Sequence, residues 1–223
     1  MRRREFLTGL ALLGGARLLP GLTAATPPDP ARGPTCRPDG LAGMEICDAR
    51  ACTFLASVAP NAQENTNWCW AACLEMSFSC LGYRVSQQEI VKATWGDIRN
   101  APASASDMVK SVQREYVDFI GDRFRPKAKL LDRTFTIFTL TGALSLTFEH
   151  VAAGKPAIVG TLNPDGSGHA TMLTNLSVRR PTNRSTSPEL SSARVYDPWF
   201  GRGSRVFTQE DWDRSPYVVL VDL

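Results

Sequence analysis

The chain is poor in the residues that most metal sites need. It has two histidines in 223 residues and no C-x-x-C pair among its six cysteines, so a structural zinc site is a poor reading. Beyond residue 25 no apolar run is long enough to span a membrane. A basic excess is also missing. The formal charge of +3 falls to zero once residues 1–25 are removed, because Arg2, Arg3, Arg4 and Arg17 leave together with Glu5. The one remaining basic cluster, "VRRPTNR", lies in a polar loop, so the electrostatic footprint of a nucleic-acid binder is absent. No internal repeat is present. The composition, 43% hydrophobic and 21% charged, suits one globular domain with a sizeable core.

The first residues, "MRRREFLTGLALLGGARLLPGLTAAT", have the basic start, apolar stretch and small residues of an export signal. Within them "RREFL" resembles the twin-arginine export motif. An ordinary Sec signal with extra arginines is the alternative, although Arg17 interrupts the apolar run and a weakly hydrophobic signal suits the twin-arginine route. Either route exports the protein, so a periplasmic or extracellular location is expected, with cleavage after Ala24 or Ala25. Six cysteines, at 36, 47, 52, 69, 73 and 80, then favour disulfides. If Cys69 is kept free, at most two bridges form and one further thiol is left over.

Residues 26–57 read as a Pro-rich linker followed by a Cys-bearing segment tied to the domain edge, and 58–223 as the main domain. From Asn67, apolar residues recur at helical spacing through Trp68, Ala71, Ala72 and Met76 to Gly82, with Asn65, Thr66 and Asn67 as candidate N-caps. "Ser86-Gln-Gln-Glu89" is a capping box opening a second helix that stops near Gly96. Met108, Val109, Val112, Tyr116, Phe119 and Ile120 predict a third over 106–120. Beyond Gly121, "TFTIFTL" alternates as a strand and "ALSLTFEHVAAG" reads as a helix. "PAIVGTL", "HATMLTNLSV", "ARVYDPW" and "YVVLVDL" read as strands, with "RRPTNRSTSPELSS" as a polar hairpin loop. Helices first and an antiparallel sheet second is an α+β arrangement of segregated layers.

Chemistry concentrates in "QENTNWCWAAC", residues 63–73. Taken singly, Cys69 reads as a small buried hydrophobe, half of a disulfide, or a nucleophile. A nucleophile needs its thiolate, which a helix N-terminus favours and a histidine partner secures by holding the proton. Of the two histidines, His150 lies inside a predicted helix, where a boundary side chain is its ordinary role. His169 follows a Gly-rich turn at the start of a strand, a place where a side chain can face a cleft, and is the favoured base. Antiparallel pairing of 169–178 with 193–197 would bring Asp197 beside His169 as the acceptor that fixes its tautomer. A turn aspartate before proline is the plainer reading of that residue. The Cys69 N–H and the Gln63 side-chain amide are candidate oxyanion donors.

These residues together resemble papain-like cysteine peptidases. In that family an oxyanion glutamine precedes the nucleophile by six residues, as Gln63 precedes Cys69, and a tryptophan follows it, as Trp70 does. "G-H-A", with Gly168 before His169, and "D-P-W", with Trp199 after Asp197, resemble the family's later segments. "CWAA", "SQQEIV", "GKPAIV" and "GHA…DP", in that order over residues 58–222, are most similar to the compact bacterial branch of bacteriocin-processing double-glycine peptidase domains and plant-pathogen effector proteases. The resemblance implies a nucleophile helix packed on a C-terminal antiparallel sheet, a peptide or protein substrate, no metal or cofactor, and Trp199 covering the His169–Asp197 hydrogen bond. A monomer is expected. The chain departs from plant papains in having Asp197 where they have Asn, in Cys73 and Cys80, which match no usual papain disulfide, and in lacking a long inhibitory propeptide. An amidase or transpeptidase acting on peptidoglycan stem peptides would use the same residues. A binding protein with Cys69 locked in a disulfide is the rival from another class.

Overall fold

Three of the β-branched runs form the centre of the molecule because they are buried on both faces. The computed structural model describes residues 33–52, 62–133, 137–163, 167–184 and 186–223, with side chains of 137–141 excepted. Residues 1–25, expected to be an export signal, and most of the Pro-rich linker lie outside these residues. Strands β6 (Ala157–Leu162), β7 (Gly168–Pro181) and β10 (Tyr217–Asp222) each contain four or more consecutive buried residues. Such a run, rather than strict alternation, marks a sheet covered on both sides.

The sheet is antiparallel throughout, and β7 is its longest member. Its first half pairs with β6, with Thr161 opposite His169, and its second half pairs on that same edge with β2 (Met44–Arg50). On its other edge lies β8 (Glu189–Asp197), which in turn pairs with β9 (Gly203–Phe207). β6 continues through β10 to β5 (Lys127–Asp132), and β1 (Thr35–Pro38) extends β2. The loop between β7 and β8 therefore covers only 182–188, shorter than the polar hairpin loop predicted, because the strands extend into it.

Helix α1 (Cys69–Cys80) packs against β7 and against α2 (Gln87–Trp95). Nine of its twelve residues are buried, as befits a helix covered nearly all round. α2 begins at the expected capping box: the Ser86 hydroxyl accepts from the Glu89 N–H, and the Glu89 carboxylate accepts from the Ser86 N–H. Gly96 ends it at φ 85°.

Three expectations are corrected. The third helix, α3, is confined to Ala105–Val112. The chain then makes a two-stranded hairpin, β3 (Tyr116–Val117) with β4 (Arg123–Phe124), leaving Phe119 and Ile120 exposed at the turn. The cause is Asp118, whose Oδ1 accepts from the N–H groups of Ile120 and Asp122 at 3.0 and 2.8 Å, a side-chain competition that favours turns over helix. The described part of "TFTIFTL", from Ile137 onward, is helical and opens α4 (Ile137–Ala152); residues 134–136 lie outside the described residues. The Cys-bearing segment supplies two strands of the main sheet, so strands also precede the helices.

Two disulfides are present, Cys36–Cys47 across the β1–β2 pair and Cys52–Cys80 from the end of that segment to the end of α1. Cys69 and Cys73 are free. The reading of Cys69 as half of a bridge is thereby overturned: Cys80 takes that role nearly three turns further along the helix.

Candidate active site

Cys69 is the first residue of α1, and the start of this helix differs from the others. α2, α3 and the short α5 (Gln209–Asp213) each open on a capping box, at Ser86, Ser104 and Thr208. α1 has Trp68 at its N-cap with no side-chain hydrogen bond, and no acidic residue in its first turn. None of Asn65, Thr66 and Asn67 caps it, contrary to the sequence reading. Asn67 instead engages Asn100, accepting nothing from the helix: its N–H and side-chain amide donate to the Asn100 Oδ1 and carbonyl. The first-turn N–H groups of an α-helix have no intrahelical partner. Cys69 stands at this uncapped helix start, where such groups favour negative charge.

His169 lies one residue inside β7, and Asp197 is the last residue of β8. The register of these antiparallel strands, with Met172 opposite Tyr196, brings the two ends together. His169 Nε2 meets Asp197 Oδ1 at 2.7 Å. The Cys69 thiol lines the same cleft as the imidazole, and with Nε2 engaged by the carboxylate the ring nitrogen left to face sulfur is Nδ1. The structure thus brings His169 and Asp197 into contact and places Cys69 on the same cleft.

Electrostatics reinforce the arrangement. Burial disfavours the imidazolium, but the hydrogen bond it donates to Asp197 and the influence of Asp197 and Cys69 beside it outweigh this, raising the His169 pKa from 6.5 to about 9. Asp197 has no exposed surface. Burial alone would raise its pKa. The hydrogen bonds from His169 and the Trp199 N–H, with the charges of His169 and Arg202, hold it instead below the ordinary carboxylate value. Cys73, one turn along α1, is fully buried, and burial together with Cys69 and Asp197 pushes its thiol well up. It is an inert core residue.

The other predicted residues divide. Trp199 donates its N–H to Asp197 Oδ1 at 2.9 Å, and its ring stands nearly perpendicular to His169 with centroids 6.4 Å apart. Trp70 is buried, its indole N–H donating to the Ala101 carbonyl at 3.1 Å, and it walls the cleft with Gly168. Gln63 is near but differently occupied. Its backbone N–H donates to the Pro198 carbonyl at 2.8 Å, which docks the segment against the residue following Asp197. Its side-chain amide, however, donates to the carbonyls of Asn65 and Thr66 at 2.8 and 2.9 Å, and its Oε1 is buried without a partner. His150 stays structural: half-buried, its Nε2 bonds the Pro156 and Val221 carbonyls, and burial lowers its pKa.

The cleft over Cys69 and His169 has a volume of about 780 Å³. Thr66, Pro102 and Ser104 border the Cys69 side, and Arg202 the His169 side. Tyr217 also lines it. That residue was missed by sequence reasoning, although Gly160 in the middle of β6 was its signal. A Cβ at Gly160 would sit 2.0 Å from the Tyr217 ring, so the glycine exists to admit the ring.

Among the described residues, the donor atoms of Cys36, Glu45 and Cys47 lie within 4.8 Å of one another. The two sulfurs are bonded to each other and Glu45 pairs with Arg180, so they are not a metal centre. No helix among the described residues is long and apolar enough to cross a membrane.

The model of the Peptidase_C39 like family matches residues 55–215. No curated protein matches. Among solved structures the chain is similar to the peptidase domain of Streptococcus ComA, a bi-functional ABC transporter involved in a quorum-sensing pathway. The identity is 13%, over 73% of this chain and 96% of that one, with a TM-score of 0.49. It is also similar to a double glycine motif protease from an AMS/PCAT transporter in complex with its leader peptide. There the identity is 15%, over 72% of this chain and 88% of that one, with a TM-score of 0.45.

Proposed function

The chain belongs to the Peptidase_C39 like family and is a papain-like cysteine peptidase, and from that premise we propose that it works outside the cytoplasm, with Cys69 as nucleophile, His169 as acid and base, and Asp197 as the group that orients His169. The observation that carries the proposal is the 2.7 Å contact of His169 Nε2 with Asp197, with Cys69 and His169 lining one cleft.

His169 takes the thiol proton through Nδ1, and Asp197 holds the resulting imidazolium in place. The Cys69 sulfur attacks the scissile carbonyl, and the oxyanion forms over the uncapped start of α1, where the Cys69 N–H is a donor. The carbon–nitrogen bond then breaks, and the leaving amine takes the proton from His169. Water, deprotonated by the same imidazole, attacks the thioester and releases the acid product and the thiol. Gln63 serves as second oxyanion donor only by exchanging the Asn65 or Thr66 carbonyl for the oxyanion. That exchange keeps its hydrogen-bond count constant. Gly168 leaves open space at the backbone beside His169, since a Cβ added there would meet nothing within 4 Å, which suits approach of a substrate strand.

Export is supported by the signal-like residues 1–25 and by the two disulfides, which persist in oxidising compartments. The test is digestion of casein and of purified peptidoglycan by the mature protein, with Cys69→Ala as control. Cysteine-dependent cleavage of casein is expected. Release of stem-peptide fragments alone would move the assignment to an amidase or transpeptidase of peptidoglycan, and no cleavage of either would refute the proposal.

A further inference from the structure

The His169 end of the cleft carries groups that the hydrolysis itself does not use. A second cavity of about 390 Å³ adjoins the first and shares Asn163, His169 and Arg202 with it. Arg205 and Arg214 complete a lining of three guanidiniums against one carboxylate, Asp211. The acidic groups nearby are already committed. Asp197 has no exposed surface and serves His169 and the Trp199 N–H. Asp211 caps α5 through the Thr208 N–H and hydroxyl and receives Arg205 at 3.2 Å.

Arg205 is shared between Asp211 and Asp197, at 3.2 and 3.5 Å, but the other two guanidiniums are less committed. The Arg202 side chain is 59% exposed, and its contact with Asp197 is long, at 3.5 Å. Arg214 is 58% exposed and, among the described residues, pairs only with Glu210, itself 70% exposed, one turn back on the α5 surface. Ion pairs so open to water are weak and exchangeable. A carboxylate entering the cavity would gain forked, charge-assisted hydrogen bonds from groups already in place.

The reaction fixes which part of a substrate reaches them. His169 gives its proton to the leaving amine, so the leaving fragment lies on the His169 side of the cleft, where this cavity opens. We propose that the cavity is a subsite for the leaving fragment and takes a carboxylate within about two residues of the scissile bond, held by Arg202 and Arg214. The carboxylate is an acidic side chain or the free C-terminus of the substrate. The inference rests on the peptidase reading, which supplies the direction of the chain in the cleft.

The test uses a library of proteome-derived peptides, one half with free C-termini and one half amidated, with cleavage positions mapped by mass spectrometry. The wild type, the Arg202→Met/Arg214→Met double variant and Arg214→Gln alone are compared; the last changes one exposed residue that does not touch the triad. The expected result is enrichment of a carboxylate just after the cleaved bond, falling about tenfold in the double variant and in part in Arg214→Gln, while cleavage of neutral peptides persists in Arg214→Gln. Enrichment confined to the unamidated half assigns the free C-terminus, and enrichment of Asp and Glu in both halves assigns side chains; either supports the subsite. Cleavage without such enrichment, or enrichment unchanged in both variants, overturns it. Absence of any Cys69-dependent cleavage would refute the peptidase reading itself, and with it this inference. Loss of the subsite alone is distinguished by continued turnover of neutral peptides.

Discussion

Replacing Asp197 by Asn separates the charge of the third residue from its orienting hydrogen bond. The amide oxygen can still accept from His169 Nε2, but the negative charge is gone. In the wild type the shift of His169 from 6.5 to about 9 corresponds to roughly 3 kcal/mol in favour of the imidazolium, gained against the opposing effect of burial. Asp197 and Cys69 share that gain. The protonated imidazole is the form that holds its proton for the leaving amine, so activity should persist through neutral pH and fall as pH rises through about 9. In Asp197→Asn the alkaline limb of kcat/KM should move to lower pH by at least about one unit, the scale of shift produced by a contacting carboxylate. The assay is a kcat/KM profile from pH 5 to 10 on a cleaved peptide, with thermal melting of the variant as a folding control. An alkaline limb at the same pH in both proteins would refute the claim that Asp197 sets the protonation of His169.

Four further outcomes follow from the same geometry. Because the folded-state pKa of His169 is raised, its stabilising contribution is complete below about pH 6.5 and lost as pH rises through about 9; wild-type melting temperature should fall over that window more than that of His169→Ala. Replacing both Cys52 and Cys80 by Ala should cost about 3 kcal/mol, as loss of a bridge closing such a loop does, read by denaturant titration, whereas Cys69→Ala should abolish turnover and change stability by less than about 1 kcal/mol. Gly160→Ala should lower stability by about 1–3 kcal/mol by forcing the Tyr217 ring out of place, and should reduce kcat/KM because that ring lines the cleft; an unchanged melting temperature would show that the ring yields freely. Gln63→Ala should lower kcat by a factor on the order of 10² to 10³ if its amide reaches the oxyanion, and should also weaken the fold by about 1 kcal/mol, since two loop hydrogen bonds are lost; a loss of stability with kcat intact would make it a structural residue only.

The site was more legible in the sequence than the elements around it. Cys69, His169 and Asp197 could be joined because strand pairing brings the ends of two recognisable β-runs together, and because few other residues could supply the chemistry. The capping box at Ser86 was legible for a local reason, since both of its hydrogen bonds lie within four residues. Misreadings came where tertiary contacts or side-chain turns overrode periodicity. Tyr116 fits a helical stripe, yet its ring packs on Phe78 at 4.9 Å from the strand side of a hairpin, after Asp118 has turned the chain. "TFTIFTL" is a short apolar run of the kind that periodicity cannot assign, and its described part continues directly into α4. Strands β1 and β2 were hidden because β2 is held by pairing with β7, which is distant in sequence. The arginines near His169 carry no motif at all, since only the turn after Trp199 and the short α5 gather them.

The central claim is that Cys69 is an activated nucleophile whose reactivity depends on His169. The most direct measurement is the rate of iodoacetamide alkylation of the purified mature protein as a function of pH, with peptide mapping of the adducts, in the wild type and in His169→Ala. Rapid, selective modification of Cys69 is expected at neutral pH, none at the buried Cys73, and a large loss of that neutral-pH rate in His169→Ala. Modification of Cys69 only at alkaline pH, with the same profile in both proteins, would contradict it.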